Sequence, residues 1–163
     1  MDVGLTATEQ ALLEHAEAGV ARYNTQRHAR GSLDTLYGFL VTAEGTFYDG
    51  AAYEPNLAHA TVCGERHALA NMVMNEGYGA KIASIVVADP VPSEQSRGTP
   101  PCGTCRHLIW QFGTPDTSVI LVQYIQRRNA DGALAWTFAR VEKHLPRDLY
   151  PYPYEPTPNL WKE

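Results

Sequence analysis

The sequence predicts an α/β protein in which one mixed five-stranded sheet lies between layers of helices, a three-layer sandwich. Short apolar runs such as 85–88 and 119–122 alternate with helical segments, which gives the element order αββαβαββα. The 163 residues, 44% of them hydrophobic and 19% charged, fit one ordinary globular domain. A tight Asn-Ala-Asp-Gly turn at 129–132 joins strands four and five, which must therefore be antiparallel.

The first half of the chain predicts a helix, a β-hairpin and a second helix. Thr6 and Glu9 have the spacing of a capping box, and apolar side chains then recur at helical intervals. Gly45 marks the hairpin turn, and Gly77 marks the end of the second helix. The predicted elements are a helix from Thr6 to about Asn24, a loop over 25–34, strands over 35–42 and 46–53, and a helix from an N-cap at Thr61 to about Asn75.

The second half predicts a buried strand, a third helix, a strand hairpin and a short final helix. Two prolines and Gly98 make the segment 89–99 a loop of the kind that often borders a site. Pro101 suits the first position of a helix, because an N–H at that position would have no helical partner. The predicted elements are a strand over 83–88, a helix from Pro101 to Gly113, strands over 118–124 and 133–140, and a helix that begins within 141–145.

We predict one zinc-binding domain over residues 1–149, followed by a distinct C-terminal arm over residues 150–163. The arm alternates four prolines with tyrosine and tryptophan, which excludes a helix and favours an extended chain. No internal repeat or low-complexity tract interrupts the domain.

Composition and charge limit the compartment and the partners. Three cysteines, an odd number, argue against a secreted disulfide framework and for metal binding in a reducing compartment. No signal-peptide pattern is visible and the apolar runs are too short to span a bilayer, so we expect a cytoplasmic protein with no membrane partner. A net charge of −5 fits a small, uncharged substrate better than a nucleic acid. The arginines that could form a basic patch are interpreted as solvated surface residues: Arg22, Arg27, Arg30, Arg127 and Arg128.

All three cysteines lie in two short motifs, Thr-Val-Cys-Gly-Glu-Arg at 61–66 and Pro-Cys-Gly-Thr-Cys-Arg at 101–106. Cys102 and Cys105 have the C-x-x-C spacing at which two thiolates chelate one ion from the first turn of a helix. Cys63 is the third candidate ligand. Three protein ligands on Zn²⁺ leave a fourth position for water, which distinguishes a catalytic zinc site from a closed structural one.

Together these motifs resemble those of the cytidine deaminase family, and most closely its small, free-nucleoside branch. Glu65, two residues after the first ligand, stands where a proton carrier beside the water is needed, and in the zinc deaminases a glutamate that is not a ligand has this role. The resemblance further implies that Arg66 supports the thiolates and that Glu54 binds the ribose. We also expect the main-chain N–H of Gly64 to help hold the heterocycle.

The resemblance implies a cytidine-deaminase-like fold and a hydrolase that acts on the C–N bonds of cyclic amidines, as in nucleoside metabolism. Such an enzyme would remove the exocyclic amine of a cytidine-like nucleoside or a related small amino-heterocycle and release ammonia. Antiparallel fourth and fifth strands fit the free-nucleoside branch, whereas polynucleotide deaminases resemble a version with a helix between those strands. Members are commonly homotetramers in which C-terminal aromatic residues approach a neighbour's pocket, so we expect a tetramer or a dimer. The arm is expected either to place Tyr150, Tyr152 and Trp161 at such a pocket or to pack on its own or a neighbouring subunit.

Two positions depart from the pattern that binds cytidine. The companion asparagine of the ribose-binding glutamate falls on Ala52, and the phenylalanine that stacks on the pyrimidine falls on Asp34. Losing a hydrogen bond to a substrate hydroxyl strongly reduces discrimination between substrates. The reaction type is unaffected, but a modified nucleoside or a nucleoside antibiotic, as in blasticidin-type deaminases, becomes an alternative substrate.

A closed zinc site is the structural alternative. Cys63 and His67 are four residues apart on one helix face, so a site of three cysteines and one histidine is conceivable. His59 and His107 are further candidates for the fourth ligand. The chain would then be a non-catalytic, zinc-stabilised binding module, and the presence of Glu65 argues against this alternative.

Overall fold

The computed structural model describes residues 4–56 and 58–153 of the chain. The elements follow the predicted order αββαβαββα, with a 3-10 turn before the second helix. They are α1 (Ala7–His28), β1 (Tyr37–Thr42), β2 (Phe47–Ala51), α2 (Gly64–Glu76), β3 (Ile82–Pro90), α3 (Gly103–Phe112), β4 (Ser118–Arg128), β5 (Leu134–His144) and α4 (Pro146–Leu149). Among the described residues, no helix is both long and apolar enough to cross a membrane. Most of the predicted arm, from residue 154 onward, lies outside the described residues.

The five strands form one mixed sheet in the order β2-β1-β3-β4-β5. β3 and β4 are parallel, while the other three neighbouring pairs are antiparallel. The predicted mixed sheet and the antiparallel pairing of the last two strands are therefore confirmed. Val86 lies opposite Ile120 in the parallel pair, and the connection runs through α3, because parallel strands cannot be joined by a tight turn.

Helices cover both faces of the sheet and bury two apolar cores, which confirms the three-layer sandwich. On one face, α1 forms a core with side chains of β1, β3, β4 and β5. On the other face, α2 and α3 form a second core with side chains of β1, β3 and β4. Alternation along β3 explains this division, because Val86 belongs to the first core and Ile85 to the second.

α1 is longer than the sequence predicts, since it ends at His28 rather than near Asn24. Asn24 is fully buried and accepts a hydrogen bond of 2.7 Å from the hydroxyl of Tyr37, so it ties the helix to β1 instead of ending it. Burial raises the pKa of Tyr37 to about 12, which keeps this hydroxyl protonated. The first glycine after Asn24 is Gly31, whose φ of 74° suits the turn that follows the helix.

The prediction of a helix that begins within 141–145 is wrong, because β5 continues to His144. Glu142 lies opposite Leu121 of β4, so this segment extends the antiparallel ladder instead of forming a helix. The final helix begins at Pro146, where the missing N–H leaves no helical hydrogen bond unmade. β3, β4 and β5 are longer than predicted, and β1 and β2 are shorter.

Glycines allow α2 to approach the first two strands backbone to backbone. A Cβ atom on Gly50 would lie 2.3 Å from the nitrogen of Ala68 and 2.3 Å from the carbonyl oxygen of Gly64. On Gly38, a Cβ atom would lie 2.6 Å from the backbone of Glu65. Both distances are far below van der Waals contact, so this packing requires residues without side chains.

Replacing Gly50 with alanine is therefore expected to lower the free energy of unfolding by about 1–3 kcal/mol, because the backbone of α2 must move away from β2. Gly79→Ala is the matched control, since nothing lies within 4 Å of its Cβ position and its φ is not positive. Denaturant unfolding curves of the two variants measure the difference. Equal midpoints would show that the strand and the helix are not packed this closely.

β2 lies at an edge of the sheet, and side chains of α2 bind its backbone. His67 contacts the carbonyl oxygen of Ala51 through Nδ1 at 2.6 Å, and Asn71 donates from Nδ2 to the carbonyl of Asp49 at 2.9 Å. These two contacts, one helical turn apart, fix the strand against the helix.

Candidate active site

Three cysteines converge where α2 and α3 begin. Cys63 is the N-cap residue of α2, Cys102 is the N-cap residue of α3, and Cys105 lies in the first turn of α3. Both helices begin two residues later than predicted. The N-cap of α2 is Cys63 instead of Thr61, and α3 begins at Gly103 instead of Pro101. Neither N-cap cysteine makes a side-chain capping hydrogen bond, so both sulfur atoms face the other cysteines instead.

The sulfur positions fit a zinc ion. The Sγ atom of Cys102 lies 3.7 Å from that of Cys63 and 3.5 Å from that of Cys105, and all three lie within 4.8 Å of one another. A tetrahedral zinc ion with Zn–S bonds of about 2.3 Å separates two sulfur ligands by about 3.8 Å. Cys105 is buried and Cys102 is exposed, so the group reaches from the core to the surface.

Among the residues that the structure describes, no histidine belongs to this cysteine group. His67, the main candidate for a closed site, directs Nδ1 at the carbonyl of Ala51, and this nitrogen is the donor because a carbonyl only accepts. The ring of His107 contacts the ring of Tyr150 edge to face, with centroids 6.0 Å apart. Three ligands leave one coordination position of a tetrahedral ion open, and no histidine in the described part of the chain supplies the fourth ligand of the closed-site alternative.

The three thiols differ in acidity. Burial, reinforced by the charge of Glu65, raises the pKa of Cys63 and of Cys105. Burial acts on Cys102 in the same direction, but the nearby N–H groups of Cys105 and Thr104 and the neighbouring thiols of Cys105 and Cys63 together lower the pKa of Cys102 below its usual value. Unpaired N–H groups at a helix start favour negative charge on sulfur. Because zinc binds thiolates, zinc uptake must displace protons from Cys63 and Cys105.

Glu65 lies beside the cysteines and is 1% exposed. Its Oε2 atom has no hydrogen-bond partner among the described residues. Burial raises the pKa of Glu65 and the charge of Asp89 acts in the same direction, while the Glu65 N–H and the Cys105 thiol oppose this shift. A raised pKa makes this carboxylate a better proton acceptor than that of an exposed glutamate.

Arg106 connects the cysteine turn of α3 to the C-terminal helix. Its Nε donates to the carbonyl of Pro101 at 2.7 Å, and its Nη1 donates to the carbonyl of Leu149 at 2.9 Å. Because Pro101 directly precedes Cys102, the guanidinium of Arg106 fixes both the backbone before Cys102 and the end of α4. The rigid, planar guanidinium suits this use, because its donors point in fixed directions.

Replacing Arg106 with alanine is expected to cost about 1–3 kcal/mol of stability, because two carbonyls lose a charged donor. We also expect the variant to release zinc to a chelator faster than the wild type. Arg97→Ala removes an exposed arginine of the preceding loop and is the control. Stopped-flow absorbance with a chromogenic chelator measures zinc release, and identical rates in all three proteins would contradict the positioning role of Arg106.

Three other predicted site residues lie close to the cysteines, and their roles stay predictions. Gly64 is the first residue of α2, and a Cβ atom there would lie 2.7 Å from the β1 backbone, so packing alone requires glycine. Arg66 is half-buried in the first turn of α2. Glu54 is exposed and follows Tyr53, which forms a β-bridge with Val62 directly before Cys63.

Both positions that depart from the cytidine-binding pattern have structural roles. The carboxylate of Asp34 lies 2.6 Å from Nε2 of His28 and accepts a hydrogen bond of 3.0 Å from Nε1 of Trp136. Asp34 therefore joins α1 to β5. The N–H of Ala52 donates to the carbonyl of Leu36 at 2.8 Å, and its methyl group offers no amide to a substrate.

Asp89, predicted only as the first residue of a loop, acts on the site because, in addition to burial, its charge raises the pKa of Glu65. Asp89 directly follows the buried part of β3, and its Oδ2 accepts a hydrogen bond from the N–H of Thr99 at 2.5 Å, so it holds the loop that leads to the cysteine pair. An acidic residue at the carboxyl end of an otherwise apolar strand is the signal that could have identified it.

Residues 10–121 match the family described as the cytidine and deoxycytidylate deaminase zinc-binding region. This range covers more than half of the chain and contains Glu65 and all three cysteines. A comparison with curated proteins gives no match.

Solved structures give a second comparison. A cytidine deaminase from Burkholderia pseudomallei is 23% identical, with a TM-score of 0.54 over 86% of this chain and 98% of that chain. A cytidine deaminase from Mycobacterium tuberculosis is 14% identical, with a TM-score of 0.52 over 85% of this chain and 98% of that chain. One from Mycobacterium leprae is 13% identical, with a TM-score of 0.51 over 82% and 96% of the two chains. At these identities the likeness establishes the fold, which agrees with the fold that the sequence motifs imply.

Proposed function

The chain belongs to the cytidine and deoxycytidylate deaminase family, and from this premise we propose that it hydrolyses the exocyclic C–N bond of a small amino-heterocycle. In this reaction water supplies the oxygen that replaces the amine, and the amine leaves as ammonia. The observation that carries the proposal is the pairing of three zinc-spaced sulfurs with a buried carboxyl of raised pKa, whose Oε2 has no hydrogen-bond partner among the described residues.

Cys63, Cys102 and Cys105 would hold the zinc ion. When bound, zinc acts as a Lewis acid that lowers the pKa of water to near neutrality. Three thiolates carry more negative charge than the ion neutralises, and the starts of α2 and α3 offset this charge with unpaired N–H groups. We assign Arg66 a supporting role through its positive charge in the first turn of α2.

Glu65 would move the protons of the reaction. Its carboxylate would accept one proton from the attacking water and pass it to the ring nitrogen beside the amine-bearing carbon. It would then take the second proton, from the hydroxyl now on that carbon, and give it to the amine, which leaves as ammonia. Burial supports this assignment, because it raises the pKa of Glu65 and so makes its carboxylate a stronger base. The packing of α2 on Gly38 holds the Glu65 backbone in place.

A cytidine-like nucleoside is the first candidate substrate, with Glu54 as the sugar ligand and the N–H of Gly64 on the heterocycle. A modified nucleoside or nucleoside antibiotic is the second. Asp34 and Ala52 favour the second candidate substrate. The carboxylate of Asp34 is occupied by His28 and Trp136, and Ala52 has no hydrogen-bonding side chain.

We also propose that the protein acts as a cytoplasmic homo-oligomer, dimeric or tetrameric, with no nucleic-acid partner. Free cysteines support the reducing compartment, and the net charge of −5 argues against a nucleic-acid partner. The exposed ring of Tyr53 beside Glu54 supports a neighbouring subunit at the site. Light scattering after size-exclusion chromatography measures the mass, and a monomer at micromolar concentration would rule out the oligomer.

Ammonia release from a panel of amino-pyrimidines, amino-purines and amino-triazines, as bases and nucleosides, tests the activity. We expect release from at least one compound class, dependent on zinc and on Glu65. Zinc-loaded, folded protein that releases no ammonia from any panel member would overturn the proposal and leave the zinc-stabilised binding module.

A further inference from the structure

The loop between β3 and α3, residues 91–102, ends in Cys102 and does not pack solidly on the sheet. A cavity of about 270 Å³ lies between this loop and the sheet. Its walls include three residues of the loop and three of the sheet: Gly98, Thr99, Pro100, Leu121, Gln123 and Glu142. The loop therefore has room to move, and its position depends on hydrogen bonds more than on close packing.

Two side chains of the sheet bind this loop. Asp89 of β3 and Gln123 of β4 are register partners near the carboxyl end of the parallel pairing. Because side chains of paired residues point to the same face of a sheet, both reach the loop from one side. We name Asp89 and Gln123 together the loop clamp.

The amide of Gln123, in the orientation that satisfies both of its neighbours, makes two hydrogen bonds with the loop. Its Nε2 donates to the carbonyl of Ser96 at 2.8 Å, and its Oε1 accepts from the N–H of Gly98 at 2.7 Å. A Cβ atom on Gly98 would lie 2.9 Å from Cγ of Gln123 and 3.2 Å from Oδ2 of Asp89. The loop backbone therefore passes directly against both side chains of the clamp, and this approach requires glycine.

Asp89 holds the part of the loop that leads directly to Cys102. Its Oδ2 accepts a hydrogen bond from the N–H of Thr99 at 2.5 Å. Only Pro100 and Pro101 stand between Thr99 and Cys102, and their rings fix φ at about −65°. Such a segment is stiff, so a displacement of Thr99 is passed on to Cys102 instead of being absorbed.

The position of Cys102 depends on its backbone more than that of Cys105 does. The side chain of Cys102 is exposed and makes no helix-capping hydrogen bond, whereas Cys105 is completely buried. Its Sγ atom is also the one that lies 3.7 Å from Cys63 and 3.5 Å from Cys105. The packed core fixes Cys105, while the loop and the start of α3 fix Cys102.

We propose that Gln123 is a positioning residue for Cys102. Together with Asp89 it holds the loop, so that the sulfur of Cys102 stands at zinc-binding distance from the other two sulfurs. This inference deepens the proposed function and rests on it, because it takes the three cysteines as the zinc ligands. Gln123 acts through the loop, and groups that orient metal ligands in this indirect way typically change metal affinity or activity by roughly 10–100-fold.

Replacing Gln123 with methionine tests the proposal, because methionine has a similar length but forms neither hydrogen bond. We expect this variant to release zinc to a chromogenic chelator roughly 10–100-fold faster than the wild type. Gln126→Met makes the same change at an exposed position of the same strand, and should release zinc at the wild-type rate. Gly98→Ala opens the clamp from the loop side, since its methyl group pushes Gln123 away, and should also speed release.

Cobalt substitution separates positioning from general destabilisation. Each protein is loaded with Co²⁺, whose visible absorption depends on the geometry of its ligands. We expect wild type and Gln126→Met to share one spectrum, and Gln123→Met and Gly98→Ala to differ from it at equal cobalt content. A wild-type spectrum and a wild-type rate of zinc release in each clamp variant that folds would overturn the positioning role, even if the Tm were lower.

Ammonia assays of the wild type keep this outcome apart from failure of the proposed function. If the clamp variants lose zinc faster but the zinc-loaded wild type deaminates no member of the panel, the deaminase is overturned and the positioning role stands. If the wild type deaminates a panel member and the clamp variants keep the wild-type metal site, the positioning role alone is overturned.

Discussion

Replacing Glu65 with glutamine is expected to lower the rate of ammonia release by about two to four orders of magnitude, the usual contribution of a positioned proton carrier. Glutamine has nearly the same shape, so the packing of α2 on β1 stays intact, but its amide cannot shuttle a proton. Glu65 is 1% exposed and raised in pKa by burial, so bulk water is poorly placed to substitute for it. The measurement is kcat for the best amine of the panel, together with zinc content.

Glu44→Gln is the matched control, because it makes the same chemical change on an exposed hairpin turn. We expect this variant to keep wild-type kcat and zinc content. If Glu65→Gln retained most of the wild-type rate with one bound zinc, another group would have to transfer the proton, and the assignment of Glu65 would be wrong.

Replacing Cys105 with serine is expected to remove zinc and reduce ammonia release to background. Cys105 is completely buried, and a serine hydroxyl ionises far less readily than a thiol, so the site would keep only two good ligands. Zinc content should fall from about one ion per chain to a small fraction of that. We also expect a lower Tm, because zinc binds the folded chain and stabilises it.

Chelation and re-addition of zinc provide the control for this variant. The wild type should lose activity with a chelator and recover it with zinc, whereas Cys105→Ser should not recover at any zinc concentration that leaves the protein soluble. Full zinc occupancy and activity in the serine variant would show that Cys105 is not a ligand.

The fold was predictable where local patterns carry the information. Apolar runs, the Asp-Gly hairpin and the capping box at Thr6 give the element order, and the structure has this order and a capping box formed by Thr6 and Glu9. The end of α1 was not predictable, because a polar residue such as Asn24 is typical of a helix end. Its hydrogen bond with Tyr37, which keeps it inside the helix, forms only in the folded chain. The last helix was misplaced for a similar reason, since only the ladder with β4 keeps residues 141–144 extended.

The group of three cysteines that could hold a metal ion was predictable because the spacing of the cysteines is itself the signal. Cys63, Cys102 and Cys105 come together as expected, in a group that contains no histidine among the described residues. Contacts between distant parts of the chain leave no such signal. Arg106 reaches Leu149, 43 residues away, and Arg27 lines a cavity with His67 only because two helices flank the same strand.

The hydrogen bonds from His67 and Asn71 to β2 have a consequence for how molecules of this protein meet. Since Ala52 bonds to Leu36 across the ladder, the alternation of an antiparallel pair turns the carbonyls of Ala51 and Asp49 outward. Unpaired carbonyls along an edge strand are a template for pairing with a strand of another chain, which leads to aggregation. Because two side chains already occupy these acceptors, a strand of another chain cannot pair with this part of β2 without displacing His67 and Asn71.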